Sequence, residues 1–217
     1  MRIGSGSVPL NDAALMTVWC GDTPLILASQ SRTRRLLLAN AGIDVEARPA
    51  EIDERAMQAA AGITAPSDIA ALLAREKALA VSARWPGRHV VGADQTLALG
   101  DRLFNKPDGR VGAFEQLRAL AGGSHQLHSA VAVAYDRMVV FEHVAVASMT
   151  MRPLSEIAVA AYLDAAGDAV AASVGGYQLE GLGVHLFERI DGDHFTILGL
   201  PLLPLLGFLR SRRLLVF

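Results

Sequence analysis

Three arginines stand where the chain leaves an apolar run and enters a helix, in the segment LASQSRTRRLLL at residues 27–38. They add positive charge to a helix N-terminus that is already partly positive, which is unfavourable unless an anion binds there. The hydroxyl of Ser29, the backbone amides of the turn and the guanidinium groups of Arg34 and Arg35 could bind phosphate oxygens. Alternatively, the arginines lie on a solvated helix face and Ser31 only caps the helix. The segment alone does not decide between the two.

Carboxylates follow two extended segments further along the chain. Glu51 belongs to AEIDER at residues 50–55, and Asp94 ends the apolar run HVVGAD. If both strands end at one edge of a sheet, these carboxylates meet in a cleft, where their hard oxygens suit Mg²⁺ together with substrate phosphates. Acidic residues after strands are usually solvated, so the EIDE motif alone favours a surface role. Asp94 is the stronger candidate, because it stands beside Gly92 and Ala93, where backbone can approach a ligand closely.

Two lysines occupy unusual positions. On the helix expected at residues 65–87, Lys77 falls on the border of an apolar stripe, which we expect to consist of Ile69, Leu72, Leu73, Leu79 and Ala80. Lys106 precedes a proline in FNKPDG, and the proline restricts the direction from which its ammonium group can enter a site. Each lysine taken alone is more often a surface residue whose stem lies along apolar neighbours.

Composition and absent motifs exclude several classes of protein. The net charge of −2 argues against a partner that is a nucleic acid polymer, because such proteins usually have a broad basic face. One cysteine, Cys20, excludes an internal disulfide and a multi-cysteine metal site. No G-x-x-x-x-G-K-[ST], G-x-G-x-x-G, H-E-x-x-H or G-x-S-x-G motif occurs. We expect His125 and His128, near the start of a strand, to be structural or surface residues.

The pattern of the chain predicts an α/β fold with substantial antiparallel pairing. Strands are expected at LILAS, HVVGAD, QLHSAVAVAYD and MVVFEHVAVASMTM, with hairpins at TLALGDRLF and VHLFERIDGDHFTIL. Helices are expected at SRTRRLLLANAG, at residues 65–87 with Ser67 as N-cap, and at VGAFEQLRALAG, LSEIAVAAYLDAAG and PLLPLLGFLRSRR. Residues 1–23 lack a sustained apolar region and are expected to be a loosely ordered tail before one domain at residues 24–217. No apolar run is long enough to span a bilayer, so a cytoplasmic protein is expected.

Seven motifs occur in the order found in one known family. They are S-x-S-x-x-R-R, EIDE, REKA, VVGADQ, NKP, GGYQLEGLG and LGLPL, and over residues 24 to about 209 the chain resembles the Maf, or septum formation, family. The resemblance implies a cytoplasmic pyrophosphatase that hydrolyses a nucleoside triphosphate to the monophosphate and pyrophosphate with Mg²⁺ or Mn²⁺. It also implies a two-lobed α/β fold with an elongated mixed sheet flanked by helices, a central cleft, a relationship to inosine triphosphatases, and a possible homodimer.

The resemblance further implies roles for individual residues. Asp94 matches the catalytic base that deprotonates the attacking water, and Glu51 with Asp94 would hold the metal. The phosphate-binding residues would be Ser29, Arg34, Arg35, Lys77 and Lys106. In-line displacement at phosphorus needs charge neutralisation and a positioned nucleophile, which these residue types supply.

Three positions bear on the base that is recognised. One branch of the family acts on dTTP and UTP and another on 7-methyl-GTP, and Gln95 and Glu180 resemble the latter branch. Thr33 matches neither branch. We therefore expect 7-methyl-GTP or another modified nucleotide as substrate. The alternatives are a dTTP/UTP pyrophosphatase and a nucleotide-sensing regulator of cell division without turnover.

Overall fold

Seven strands form one mixed sheet in the computed structural model, which describes residues 18–171 and 173–217. The strands are β1 (Leu25–Leu27), β2 (Val45–Ala47), β3 (Val90–Leu99), β4 (Arg102–Phe104), β5 (Ser124–Tyr135), β6 (Met138–Met151) and β7 (Phe187–Asp191). Their order is β2-β1-β3-β5-β6-β7, and β4 also pairs with β3. Strand β1 is parallel to β2 and β3, and the other pairs are antiparallel. The expected mixed α/β sheet is confirmed.

Helices flank this sheet. They are α1 (Arg32–Asn40), α2 (Glu54–Ala61), α3 (Pro66–Ser82), α4 (Gly109–Leu120), α5 (Glu156–Ala166), α6 (His194–Ile197) and α7 (Leu202–Ser211). The hydroxyl of Ser31 accepts a hydrogen bond from the Arg34 amide and so caps α1. The prediction that Ser67 caps α3 was wrong, because the helix already begins at Pro66, whose ring favours the first helical position. No helix among the described residues is long and apolar enough to cross a membrane.

Helix α3 packs on the sheet through its smallest side chains. Its buried face carries Ala70, Ala74 and Ala78, which contact a matching row of alanines on β5. Of the expected apolar stripe, Ile69 and Leu73 are buried, whereas Leu72, Leu79 and Ala80 are only partly buried. A Cβ atom at Gly92 would overlap the carbonyl oxygen of Ala74. Gly92 thus serves close contact between helix and strand rather than approach of a ligand, and this contact brings Lys77 of α3 to β3.

Two hydrophobic cores lie towards opposite ends of the long strands. One contains Leu25, Val91, Val133, Leu205 and Leu209, and the other contains Leu97, Leu117, Met149, Met151 and Leu163. On one side of β3, residues 90–91 pair with β1 and residues 97–99 pair with β4. Between them, residues 92–96 have no strand partner on that side within the described chain. This gap in the sheet (residues 92–96) lies between the two cores, and we call the parts of the chain packed around each core the two lobes.

Two segments differ from expectation. VHLFERIDGDHFTIL is not a hairpin, since β7 pairs with β6 and the following residues form α6. Asp193 starts this helix, because its carboxylate accepts hydrogen bonds from both the amide and the hydroxyl of Thr196, each at 2.9 Å. Of the expected tail, residues 1–17 lie outside the described residues. Trp19 forms an isolated bridge with Leu215.

Candidate active site

Asp94 lies in the gap of the sheet and faces α3. The sequence suggested that it ends a strand, but β3 continues to Leu99 because β5 pairs with it beyond the point where β1 stops. The Asp94 carboxylate is buried, with 8% of the residue exposed. Burial raises its pKa, and the neighbouring positive charges of Lys77 and Arg34 oppose that effect. A carboxylate in such a place is a candidate proton acceptor.

Lys77 joins two carboxylates beside the gap. Its Nζ donates to Asp94 Oδ1 at 2.6 Å and forms an ion pair with Glu54 Oε1 at 2.9 Å. Glu54 is the first residue of α2, where Asp53 caps the helix and a negative side chain is favourable. The sequence placed Glu54 in the EIDE motif but gave no local reason to prefer it over Glu51. Only its distance from Lys77 singles it out.

The expected metal ligand Glu51 points elsewhere. Its carboxylate is highly exposed and pairs at 3.3 Å with Arg84, which follows the C-terminus of α3. Within residues 18–171 and 173–217, no cluster of three or more His, Cys, Asp or Glu side chains could hold a metal ion. The pair Asp94 and Glu54 nevertheless fits Mg²⁺ or Mn²⁺, since such ions bind through one or two carboxylates and take their other ligands from water and substrate phosphates.

Arg34 fills the gap from the β1 side. Its Nη1 donates to the carbonyl oxygen of Ala93 at 2.7 Å, and its Nε donates to the carbonyl oxygen of Gly199 at 2.8 Å. The carbonyl of Ala93 has no strand partner, so Arg34 satisfies it instead. Burial lowers the pKa of this guanidinium, and the charge of Asp94 opposes that effect. Ser29 lies within 3.4 Å of Nη1, which places the β1–α1 turn next to Asp94.

The other expected phosphate ligands are not in contact with this cluster. Arg35 is exposed on the first turns of α1, and Lys106 is exposed in the loop between β4 and α4. Arg35 belongs to the helix that follows β1, and Lys106 to the loop that follows β4, and these two strands border the gap. The structure therefore joins Ser29, Arg34 and Lys77 to Asp94 and leaves Arg35 and Lys106 as outer cations.

Two of the three expected specificity residues meet across the lobes. Thr33 Oγ1 donates to Glu180 Oε1 at 3.2 Å, although the residues are 147 positions apart. Gln95 lies on the opposite face of β3 from Asp94, and its Nε2 donates to Ser129 Oγ at 2.9 Å and to the carbonyls of Thr196 and Ile197 at 3.1 Å. The Gln95 amide nitrogen thus fastens α6 to the sheet.

Comparisons with known proteins show what the whole chain is similar to. The chain matches a family model described as Maf-like protein over residues 24–212. It is 68% identical over 199 residues to a nucleoside triphosphate pyrophosphatase of Bradyrhizobium diazoefficiens, covering 92% of this chain and 98% of the relative. A protein of the same name from Nitrobacter hamburgensis is 66% identical, with 92% and 99% covered. A 7-methyl-GTP pyrophosphatase of Rhizobium etli is 54% identical over 190 residues, with 86% and 95% covered.

Proposed function

The chain belongs to the Maf family, and we propose that it is a nucleoside triphosphate pyrophosphatase whose substrate is 7-methyl-GTP or a similar modified nucleotide. Water and the triphosphate give a nucleoside monophosphate and pyrophosphate, so the α–β anhydride bond breaks and a P–O bond to water forms. The observation that carries the proposal is the buried Asp94 with the cations Lys77 and Arg34 at the gap between the lobes. The pyrophosphatase names of its relatives support the reaction class.

Asp94 is the proposed proton acceptor for the attacking water. Its Oδ1 is held by Lys77 at 2.6 Å, and this contact fixes the direction of the carboxylate. Burial raises its pKa, which makes the ionised form a better base than a solvated aspartate. Lys77 favours the ionised form of the carboxylate and adds positive charge where negative charge develops on phosphate oxygens.

The β1–α1 turn is the proposed cradle for the triphosphate. Two of the three nitrogens of the Arg34 guanidinium hold backbone carbonyls, and Nη2 makes no hydrogen bond with the described residues, so it can donate to a phosphate oxygen. The hydroxyl of Ser29 lies 3.4 Å from Nη1 of the same guanidinium. We place Arg35 and Lys106 at the outer phosphates, where exposed cations add charge at little desolvation cost.

A divalent cation would be held by Asp94 and Glu54 together with phosphate oxygens and water. When bound, such an ion neutralises charge on the phosphates and polarises the phosphorus that is attacked. In the structure Lys77 is shared between the same two carboxylates, which keeps them together at 2.6 and 2.9 Å from its Nζ. We therefore prefer Glu54 to Glu51 as the partner of Asp94.

Glu180 is the proposed reader of the base. A carboxylate accepts hydrogen bonds only, and the Watson–Crick edge of guanine offers adjacent N–H donors. Methylation at N7 makes the ring cationic, which strengthens its attraction to a carboxylate. Thr33 donates to Oε1, and we assign Oε2 to the base. The relative named 7-methyl-GTP pyrophosphatase supports this choice, while dTTP or UTP is the alternative substrate.

Pyrophosphate release from a panel of nucleotides tests the proposal. The panel contains 7-methyl-GTP, GTP, dTTP and UTP, each with and without Mg²⁺. Glu180→Gln should lower kcat/KM for the guanine substrates by about tenfold more than for the pyrimidines, since a site that loses a matched polar partner discriminates less. Glu188→Gln, which changes an exposed glutamate on β7, is the control. Preference of the parent for dTTP would contradict the base assignment, and binding without turnover would indicate a nucleotide-sensing regulator instead.

A further inference from the structure

A buried hydrogen bond fastens the segment that carries Glu180 to the start of strand β5. The hydroxyl of Tyr177 lies 2.7 Å from Nε2 of His125 on β5. Tyr177 is 4% exposed and His125 is 1% exposed, and the ring of Phe187 packs edge-on against Tyr177 at 4.8 Å between centroids. We call the bond between the Tyr177 hydroxyl and His125 the tether.

The chain after Tyr177 closes at once into a tight turn. The amide of Gly181 donates to the carbonyl oxygen of Gln178 at 3.2 Å, so Glu180 lies at the third position of a four-residue turn, the glutamate turn (residues 178–181). Gly183 packs so closely on the backbone of Gln178 that a Cβ atom there would overlap its carbonyl oxygen. The glutamate turn is thus a compact unit, and Tyr177, the residue directly before it, joins it to β5.

Tyr177 and His125 need not be polar merely to fill the core. An apolar pair of similar shape would avoid the cost of burying a hydroxyl and an imidazole. Burial lowers the pKa of His125 to about 4, so the imidazole is neutral at physiological pH. Nδ1 of the same ring has no hydrogen-bond partner among the described residues, so the tether is the one hydrogen bond that this side chain makes with them. A directional bond fixes the position of Tyr177 in a way that apolar packing does not.

We infer that Tyr177 is a positioning residue for base discrimination, because through His125 it fixes the glutamate turn so that Glu180 meets both Thr33 and the base. This inference rests on the proposed function of Glu180. It assigns the preference for guanine to two parts: the carboxylate that touches the base and a buried tyrosine three residues earlier that aims it. Phosphate binding and the chemistry at Asp94 are independent of the tether.

Tyr177→Phe removes the hydroxyl and keeps the ring. We expect the ratio of kcat/KM for 7-methyl-GTP to that for UTP to fall about fivefold or more, mainly through KM for the guanine substrate. Inhibition by the product pyrophosphate, which has no base, should be unchanged. Tyr135→Phe is the matched control, since it makes the same change at the far end of β5 and should leave the ratio intact. Unchanged discrimination in folded Tyr177→Phe would overturn the inference and leave the proposed function standing.

A second variant separates positioning from loss of stability. Tyr177→Phe combined with His125→Leu replaces both partners by apolar groups, so the melting temperature should recover much of the loss. Discrimination between 7-methyl-GTP and UTP should stay low in this double variant, because the directional hydrogen bond is still missing. Recovery of both discrimination and melting temperature would refute the positioning role of the tether. Hydrogen exchange of amides 176–183 gives a readout without turnover: Tyr177→Phe should speed exchange there but not in β5, and an unchanged rate would also refute it. A parent protein that turns over without base preference would overturn both assignments, and one without turnover would overturn the proposed function.

Discussion

Replacement of Asp94 by asparagine is the most direct test of the site. The shape of the side chain is kept and the proton acceptor is lost. General base catalysis contributes typically about 10² to 10⁴ in rate, which corresponds to about 3 to 5 kcal/mol of transition-state stabilisation. Asp94 is also a proposed metal ligand, so Asp94→Asn should reduce kcat by at least the lower of these factors.

The same substitution should reduce the stability of the folded chain much less than it reduces the rate. Because burial raises the pKa of Asp94, the folded carboxyl keeps its proton to a higher pH than the unfolded one. The folded state therefore loses stability as pH rises through the interval above about 4, the usual range for aspartate. The asparagine side chain of the variant does not titrate, so the melting temperature of the variant relative to the parent should increase as the pH rises above about 4. The lost hydrogen bond from Lys77 offsets part of this gain.

Pyrophosphate release under saturating nucleotide and Mg²⁺ measures the rate, and calorimetry at several pH values measures the stability. Asp101→Asn, in the exposed turn between β3 and β4, is the control for loss of one negative charge. Turnover of Asp94→Asn within a few-fold of the parent would refute the role of the base. A loss of activity that follows the unfolded fraction would show that Asp94 is structural.

Three further results are expected. Arg34→Ala should lower the free energy of unfolding by about 1 to 3 kcal/mol, because two backbone carbonyls lose their donor. Arg35→Ala should instead weaken triphosphate binding and reduce the salt dependence of that binding, while the melting temperature stays unchanged. Glu54→Gln should raise the Mg²⁺ concentration for half-maximal rate by about tenfold and Glu51→Gln should not, and the reverse order in a Mg²⁺ titration would contradict our choice of ligand. Burial lowers the pKa of His125 from 6.5 to about 4, so the unfolded chain takes up a proton at a higher pH than the folded chain does. The free energy of unfolding should therefore fall by about 3 kcal/mol between pH 7 and pH 4. Urea titrations at several pH values should show that His125→Leu lacks this part of the acid dependence.

Local pattern was sufficient for most of the elements. Apolar runs with β-branched residues predicted β1, β3, β5 and β6, and spacing with capping residues predicted α1, α4, α5 and α7. The hairpin at Gly100 and Asp101 was predicted correctly from its turn residues. The sequence also shows Asp94 at the end of an apolar run and arginines at the start of a helix. Both positions are unusual for a charge, because apolar neighbours exclude water and a helix N-terminus repels cations.

The sequence could not determine which charges share a partner. Glu51 and Glu54 belong to one motif, and only the approach of α2 to α3 brings Glu54 rather than Glu51 to Lys77. Arg34 would be expected from the sequence to add affinity and little stability. The fold makes it a donor to carbonyls 59 and 165 positions away, because β1 ends early and leaves the edge of β3 unpaired.

Tertiary structure likewise decided the face and the burial of each side chain. On α3, Leu72 and Leu79 are only partly buried, whereas Ala74 and Ala78 are fully buried, since the close approach of the helix to Gly92 admits only small groups there. Thr33 and Glu180 meet across 147 positions, and Tyr177 reaches His125 across 52. Residue type and spacing determine which groups can do chemistry, because those properties act over a few residues. Desolvation and directed hydrogen bonds determine which of them do it, because both depend on neighbours that only the folded chain brings together.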